Sequence, residues 1–284
     1  MSETANAAQA EYWNETAGPT WVELHDPLDR MIEPMGLAGL AALAPAPGET
    51  ILDIGCGCGR TTLQIAEAVG PGGAVIGADI SATMLAEARA RAIPPTAARP
   101  EFREVDAQTG DLGREKFDAA FSRFGVMFFA DPVAAFANIR SALKGGGRLT
   151  FVCWRSLAEN LWMRVPLEAA LPLLPPLPPP DPTAPGPYAL ADPVRVRRIL
   201  EAAGFQGLSI DPFDADIGSD DLDGSVAMSF RVGPLATALR EHPQYKTRVA
   251  DAVRQALAPY ATPAGVKTPG AVWIVTARAN SGMN

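Results

Sequence analysis

The sequence predicts an α/β fold, a mostly parallel sheet covered by helices, on three observations. Short apolar runs alternate with amphipathic stretches from residue 50 to about 154. Some of those runs, AVIGA among them, are uninterrupted, as strands buried on both faces require. One apolar run leads into three alternate glycines and then a helical pattern, the turn of a ligand-binding α/β unit.

Taken in order, the first 48 residues hold Tyr12, Trp13, Trp21 and a helical stretch from about Asp29 to Leu43, and they read as a cover on the core. Strands are expected at Thr50 to Gly55, Ala74 to Asp79, Glu101 to Val105, Phe117 to Ser122 and Arg148 to Trp154, with helices at Arg60 to Val69 and Ala82 to Ala92. Asp131-Pro132 supplies a cap and a first-turn proline for a helix carrying Val133, Phe136, Ile139 and Leu143 up to the breaker Gly145-Gly146-Gly147. Asp192-Pro193 repeats the device before Val196, Ile199, Leu200 and Ala203, and Gly204 stands where a helix-ending glycine belongs.

Between Pro166 and Pro187 lie ten of the 27 prolines, a density expected to forbid continuous helix and favour a stiff extended loop. Residues 155–191 then read either as a surface linker or, given Leu161, Trp162, Leu171, Leu173 and Leu174, as a lid. Residues 219–268 read as a helical insertion with Val249, Ala252, Val253 and Ala256 on one side, flanked by a strand near Gly207 to Phe213 and a final strand, Ala271 to Val275. The expected organisation is one structural domain: cover 1–48, α/β core 49–154, proline-rich insertion 155–191, and 192–284 completing the sheet around its helical insertion.

With 284 residues, 48% of them apolar and 20% charged, the chain can bury a substantial core without covalent staples. Twenty-four Lys and Arg against 32 Asp and Glu give a net charge of −8, which disfavours nucleic acid and anionic lipid as partners. Three cysteines, an odd number, argue for a reducing compartment, and a cytoplasmic location is expected. Cys56 and Cys58 offer only two soft ligands with no further Cys or His nearby, so packing is expected rather than a metal. The opening MSETANAAQAEYW has no basic segment ahead of an apolar one, and no apolar run approaches the roughly 20 residues of a bilayer span. Neither secretion nor membrane insertion is expected.

The stretch Ile51-Leu52-Asp53-Ile54-Gly55-Cys56-Gly57-Cys58-Gly59-Arg60-Thr61 is the most informative. Alternate glycines let the backbone turn tightly and approach a ligand. Asp79 ends the second strand 26 residues after Asp53, where such folds put the carboxylate that accepts from ribose hydroxyls, and Asp106 ends the third. Charge then selects the cofactor. A pyrophosphate would sit awkwardly near Asp53, and the dinucleotide pattern G-x-G-x-x-G requires glycine at position 60, where this chain has Arg60. An adenosine without phosphates, carrying an ammonium near Asp53, fits better.

On these residues the chain resembles the class I S-adenosylmethionine-dependent methyltransferases, strongly over residues 49–154, and within them the small-molecule branch related to ubiquinone and menaquinone biosynthesis. LDIGCGCG, GADIS, VDAQT, FDAAFSRFGVMFF and LKGGGRL carry the likeness. The resemblance implies a Rossmann-like seven-stranded sheet in the order 3-2-1-4-5-7-6, strand 7 antiparallel, with helices on both faces and inserted lid segments. It implies S-adenosylmethionine as cofactor, with Asp53, Gly55, Cys56 and Gly57 at its methionine end and Asp79 on both ribose hydroxyls. Ile80 and Met84 would pack on the adenine, Asp106 and Ala107 would read its amino group, and Ser122, Arg123 and Phe124 would face the sulfonium and the acceptor.

Methyl transfer from a sulfonium needs orientation and dryness more than a catalytic triad. Tyr12, Trp13 and Trp21 are candidates for aromatic contact with the sulfonium, and His25, ahead of His242, is the candidate base should the acceptor need one. If the two insertions roof the site, Trp154, Trp162, Phe213, Met228 and Phe230 imply a modest-sized, partly hydrophobic acceptor, a small molecule. A monomer and a homodimer are equally compatible with the sequence. Two rival functions stand: a non-catalytic S-adenosylmethionine-binding module, and a nicotinamide-dependent oxidoreductase.

Overall fold

The computed structural model describes residues 6–179 and 181–280. Its centre is a sheet of eight strands: β1 (Thr50–Ile54), β2 (Ala74–Asp79), β3 (Glu101–Glu104), β4 (Phe117–Arg123), β5 (Leu143–Trp154), β6 (Phe205–Ser219), β7 (Ala261–Thr262) and β8 (Gly265–Ala279). The order is β3-β2-β1-β4-β5-β8-β6, with β8 antiparallel to both neighbours and the two-residue β7 pairing on β8. Apart from β7, this is the arrangement the resemblance implied, the last long strand taking the seventh place.

The helices are α1 (Ala7–Glu11), α2 (Ala17–Glu23), α3 (His25–Leu43), α4 (Arg60–Val69), α5 (Ala82–Ala90), α6 (Pro132–Ala142), α7 (Leu161–Ala170), α8 (Pro193–Ala202), α9 (Leu222–Ser229), α10 (Pro234–Glu241) and α11 (Lys246–Leu257). The caps read from sequence form: Asp131 accepts the Ala134 amide at 3.0 Å and Asp192 the Val194 amide at 2.9 Å. A single wide π turn, Tyr12–Thr16, joins α1 to α2. Such turns often stand at functional sites, and this one carries two of the candidate aromatics.

The core sits on both faces of β1, β2, β4 and β5. Phe117, Phe121, Phe136 and Phe151 are fully buried, each contributing about 2–3 kcal/mol of transfer free energy. A second, separate cluster joins Ala170 of α7, Val226 of α9, Leu235 and Leu239 of α10 and Val249, Val253 and Leu257 of α11. The two insertions therefore share a small core of their own.

Several expectations on element ends are corrected. α3 begins at His25, not Asp29, and α5 stops at Ala90 ahead of Ile93-Pro94. Gly145-Gly146-Gly147 does not break the chain before a strand at Arg148. β5 runs through it from Leu143, and the three extra residues appear as a shift in its register with β4 between Phe117 and Ala119. The proline-rich segment does contain helix: Pro166 lies inside α7, six residues in, where its missing amide forfeits only one intrahelical bond. The helical insertion expected over 219–268 is helical from Leu222 to Leu257, because β6 and β8 continue their pairing outward to Ser219 and Val266. Among the described residues no helix is long and apolar enough to cross a membrane.

Candidate active site

The carboxyl ends of β1, β2 and β4 open into one cavity of about 960 Å³, at the upper end of the roughly 300–1,000 Å³ that a single ligand occupies. At one end lie the glycine turn, Asp79 and Asp106. Phe124 adjoins the turn through Gly125, and Trp154, Trp162, Met163, Leu167 and Tyr188, contributed by the strand ends and the proline-rich insertion, continue the wall. The N-terminal cover, through Tyr12, Trp13 and Trp21, and α10, through Pro234 and Thr237, supply further walls.

The glycine turn spends its amides on the protein. Gly55 and Cys56 both donate to the Ala78 carbonyl, at 2.8 and 3.2 Å, Gly59 donates to the Cys56 carbonyl at 2.9 Å, and Gly57 donates to Asp79 Oδ2 at 2.7 Å. A pyrophosphate would find these four amides already taken. Gly55 has φ +63° and its missing side chain leaves room for Gly125, whose Cα would stand 2.7 Å from a Cβ. At Gly57, φ +54°, a Cβ would touch only Met84 Sδ at 3.8 Å, and its space belongs to the cavity.

Asp79 also accepts the Ser81 amide at 2.9 Å. Burial pushes its carboxyl above the usual range, opposed by these two backbone bonds. Each oxygen keeps a second acceptor position. Asp106 Oδ1 takes the Gln108 amide and the Asn6 side-chain amide, both at 2.8 Å, and Oδ2 takes the Thr109 hydroxyl at 3.0 Å. The cover is pinned over these strand ends: Asn14 donates to the Ile80 carbonyl, and Ser81 and Thr83 donate to the carbonyls of Trp13 and Asn14.

Of the residues named from sequence, Tyr12, Trp21, His25, Gly55, Cys56, Gly57, Asp79, Ile80, Met84, Asp106, Ala107, Arg123 and Phe124 all line this cavity. Asp53 and Ser122 do not. Asp53 is fully buried beneath the turn, its Oδ2 accepting the hydroxyls of Thr61 and Thr62 at 2.8 and 2.6 Å while Oδ1 has no partner. Burial raises its carboxyl to about 6. It steadies the start of α4 instead of meeting an ammonium. Ser122 is equally buried and braces the loop, donating to the Ile54 carbonyl at 2.7 Å and accepting the Gly125 amide at 3.2 Å.

His25 reaches the cavity wall with one ring nitrogen hydrogen-bonded to the backbone and the other near two carboxylates. Nδ1 lies 2.7 Å from the Val22 carbonyl, and Nε2 faces Asp26 at 3.3 Å and Glu87 at 3.7 Å. Arg123 is tied to Asp29 at 2.6 Å, and Asp29 also holds Arg91 at 2.8 Å. Phe213, Met228 and Phe230 pack against the two cores and do not line the cavity, while Trp154 and Trp162 do. Burial lifts all three thiols, that of Cys58 to about 12, leaving them protonated and poor ligands.

Sequence reasoning missed Asn6, Asn14, Asp29 and Gly125. The first three are ordinary polar residues on helix patterns, and only the fold brings them to strand ends up to 100 residues away.

Residues 51–147 match the family model described as a methyltransferase domain. The chain is 36% identical over 118 residues to an aklanonic acid methyltransferase from Streptomyces sp. (strain C5), which covers 42% of this chain and 54% of that protein. It is 35% identical over 111 residues to a demethylmenaquinone methyltransferase from Corynebacterium kroppenstedtii, covering 39% and 44%. The chain thus spans about half the length of the curated relatives it matches. The fold matches phosphoethanolamine N-methyltransferase 2 of Haemonchus contortus, solved with S-adenosylmethionine, with TM-score 0.53 and 19% identity over 88% of this chain and 53% of that one.

Proposed function

We propose that residues 51–147, which match the methyltransferase-domain model, form a class I S-adenosylmethionine-dependent methyltransferase domain, and that this protein transfers a methyl group from S-adenosylmethionine to a small, partly apolar acceptor in the same cavity. The observation that carries the reading is the continuity of one cavity from the ribose-type carboxylate Asp79 to the apolar wall at Trp154 and Trp162. It offers a polar stretch for the cofactor and an apolar wall for an acceptor. The cofactor, when bound, supplies a methyl group on a sulfonium, whose bonding electrons return to sulfur as the acceptor's lone pair takes the methyl.

The protein's share is orientation and dryness. Holding two reactants in line supplies on the order of 7–11 kcal/mol at most. Asp79 and the glycine turn fix the nucleoside, Met84 and Ile80 flank its base, and Phe124 stands where cofactor and acceptor meet. Tyr12, Trp13 and Trp21 in the cover offer ring faces to a cation. His25 keeps the role of base should the acceptor need one: Nδ1 donates to the Val22 carbonyl, which leaves Nε2, facing the Asp26 and Glu87 carboxylates, to take the proton.

Against a nicotinamide enzyme stands Arg60, where the dinucleotide pattern needs a glycine; against a mere binding module stands the extension of the cavity to an apolar wall beyond the turn. Titration with S-adenosylhomocysteine and with NADH, followed by transfer of labelled methyl into a metabolite extract, tests all three. Binding of the first alone, with a labelled product, is the expected result. NADH binding, or cofactor binding with no acceptor labelled from any extract, would overturn it.

A further inference from the structure

Phe124 is one of three described residues other than glycine with a left-handed backbone, φ +66°. Its amide still pairs with the Val152 carbonyl at 3.0 Å, so the twist falls at the end of β4 and throws the ring sideways onto Trp154. The two rings stack at 4.3 Å and 12°, and Trp162 leans on Trp154 at 5.3 Å. An unfavourable backbone held at a cavity wall is characteristic of functional sites.

This wall carries no charge. Met163, Leu157, Leu167 and Tyr188 complete it, and the Tyr188 hydroxyl is turned onto Met163 Sδ at 3.0 Å. The cations that line the cavity are held by carboxylates, Arg123 by Asp29, Arg60 by Glu33 and Arg231 by Glu23, or, like Arg240, stay exposed at the mouth over the Tyr12 ring. An anionic acceptor would lose its hydration here and find the lining cations already paired or at the mouth, and the carboxylates Asp181 and Glu241 that also line the cavity are exposed, away from this buried wall. Flat aromatic rings meet offset or edge-on partners and lose little conformational freedom.

We propose that the acceptor is an uncharged, flat aromatic compound of two or more fused rings, and that Trp162 is the residue that selects for it. Trp162 is the half-buried member of the trio and rides on α7, in the proline-rich insertion, packed against the main core beside Trp154, so the selecting ring is brought to the sheet's edge by the insertion. The inference rests on the cavity being the methyl-transfer site.

The test uses the full chain loaded with S-adenosylhomocysteine and a probe series of phenol, naphthol and hydroxyanthracene, with phosphoethanolamine as the charged aliphatic control. Binding is read by quenching of tryptophan fluorescence and by calorimetry. Affinity is expected to rise about tenfold for each added ring, with no binding of the control. Trp162→Leu should weaken the three-ring probe about tenfold, Trp162→Phe should restore most of it, and S-adenosylhomocysteine affinity should be equal in all three proteins. Equal affinity across the ring series, binding of phosphoethanolamine, or an unchanged Trp162→Leu protein would overturn the proposal while leaving methyl transfer standing. Aromatic binding without any S-adenosylhomocysteine binding would instead sink the proposed function and keep the aromatic slot.

Discussion

The Asp79 carboxylate accepts the Gly57 amide at 2.7 Å, and this one bond both closes the glycine turn and holds a buried carboxylate at the cavity wall. Asp79→Ala is expected to orphan the Gly57 and Ser81 amides, costing about 1–3 kcal/mol of stability, and to weaken S-adenosylhomocysteine at least tenfold. Chemical denaturation and calorimetry separate the two effects. Cofactor affinity within twofold of the unsubstituted protein would refute the assignment.

Gly55 and Gly57 share a left-handed backbone but differ in what surrounds them. Gly55→Ala drives a Cβ into Gly125 at 2.7 Å, and the expected result is loss of folding stability of about 3 kcal/mol or more. Gly57→Ala meets no protein atom closer than 3.8 Å, so stability should fall by only about 1–2 kcal/mol, the backbone cost, while cofactor binding is lost. Thermal melts with and without S-adenosylhomocysteine distinguish the pair.

Asp53 makes stability depend on pH in an unusual sense. Its carboxyl is raised from 3.8 to about 6 by burial, so the native state holds the proton more tightly than the unfolded chain does. The stability it contributes is complete below its unfolded value and is lost as pH rises through about 6. Comparison of the unsubstituted protein with Asp53→Asn by urea denaturation should show their stability difference moving by roughly 2 kcal/mol between pH 4 and pH 7. A constant difference would contradict the burial argument.

Asp29 is the shared anion of Arg91 and Arg123, all three side chains only 11–13% exposed. Asp29→Ala leaves two guanidinium groups without it, and a loss of about 3 kcal/mol is expected. Asp29→Asn should fall between the two, since it keeps one acceptor and loses the charge. Equal stability of all three proteins would show the cluster to be solvated.

The sheet was legible because its signals are local. Buried runs, caps at Asp131 and Asp192 and the turn after Ile54 each declare themselves within a few residues, and the strands follow. The site was legible where a residue type is tied to a strand end, as at Asp79 and Asp106. It was not legible where side-chain direction decides: Asp53 and Ser122 lie in the right segments but point into the core, each drawn there by hydrogen bonds to Thr61, Thr62 or Ile54. Nor did the proline count reveal α7, because a proline one turn into a helix sacrifices one bond while Met163 and Ala170 bury apolar surface on either side of it.

The outward continuation of β6 and β8 to Ser219 and Val266 has a consequence for diversification. This two-stranded stalk carries α9, α10 and α11, which with α7 enclose an interior separate from that of the sheet. Substitutions at the interior positions of α9 and α11, Val226, Val249, Val253 and Leu257, can therefore change the helical group without disturbing the parallel strands beneath.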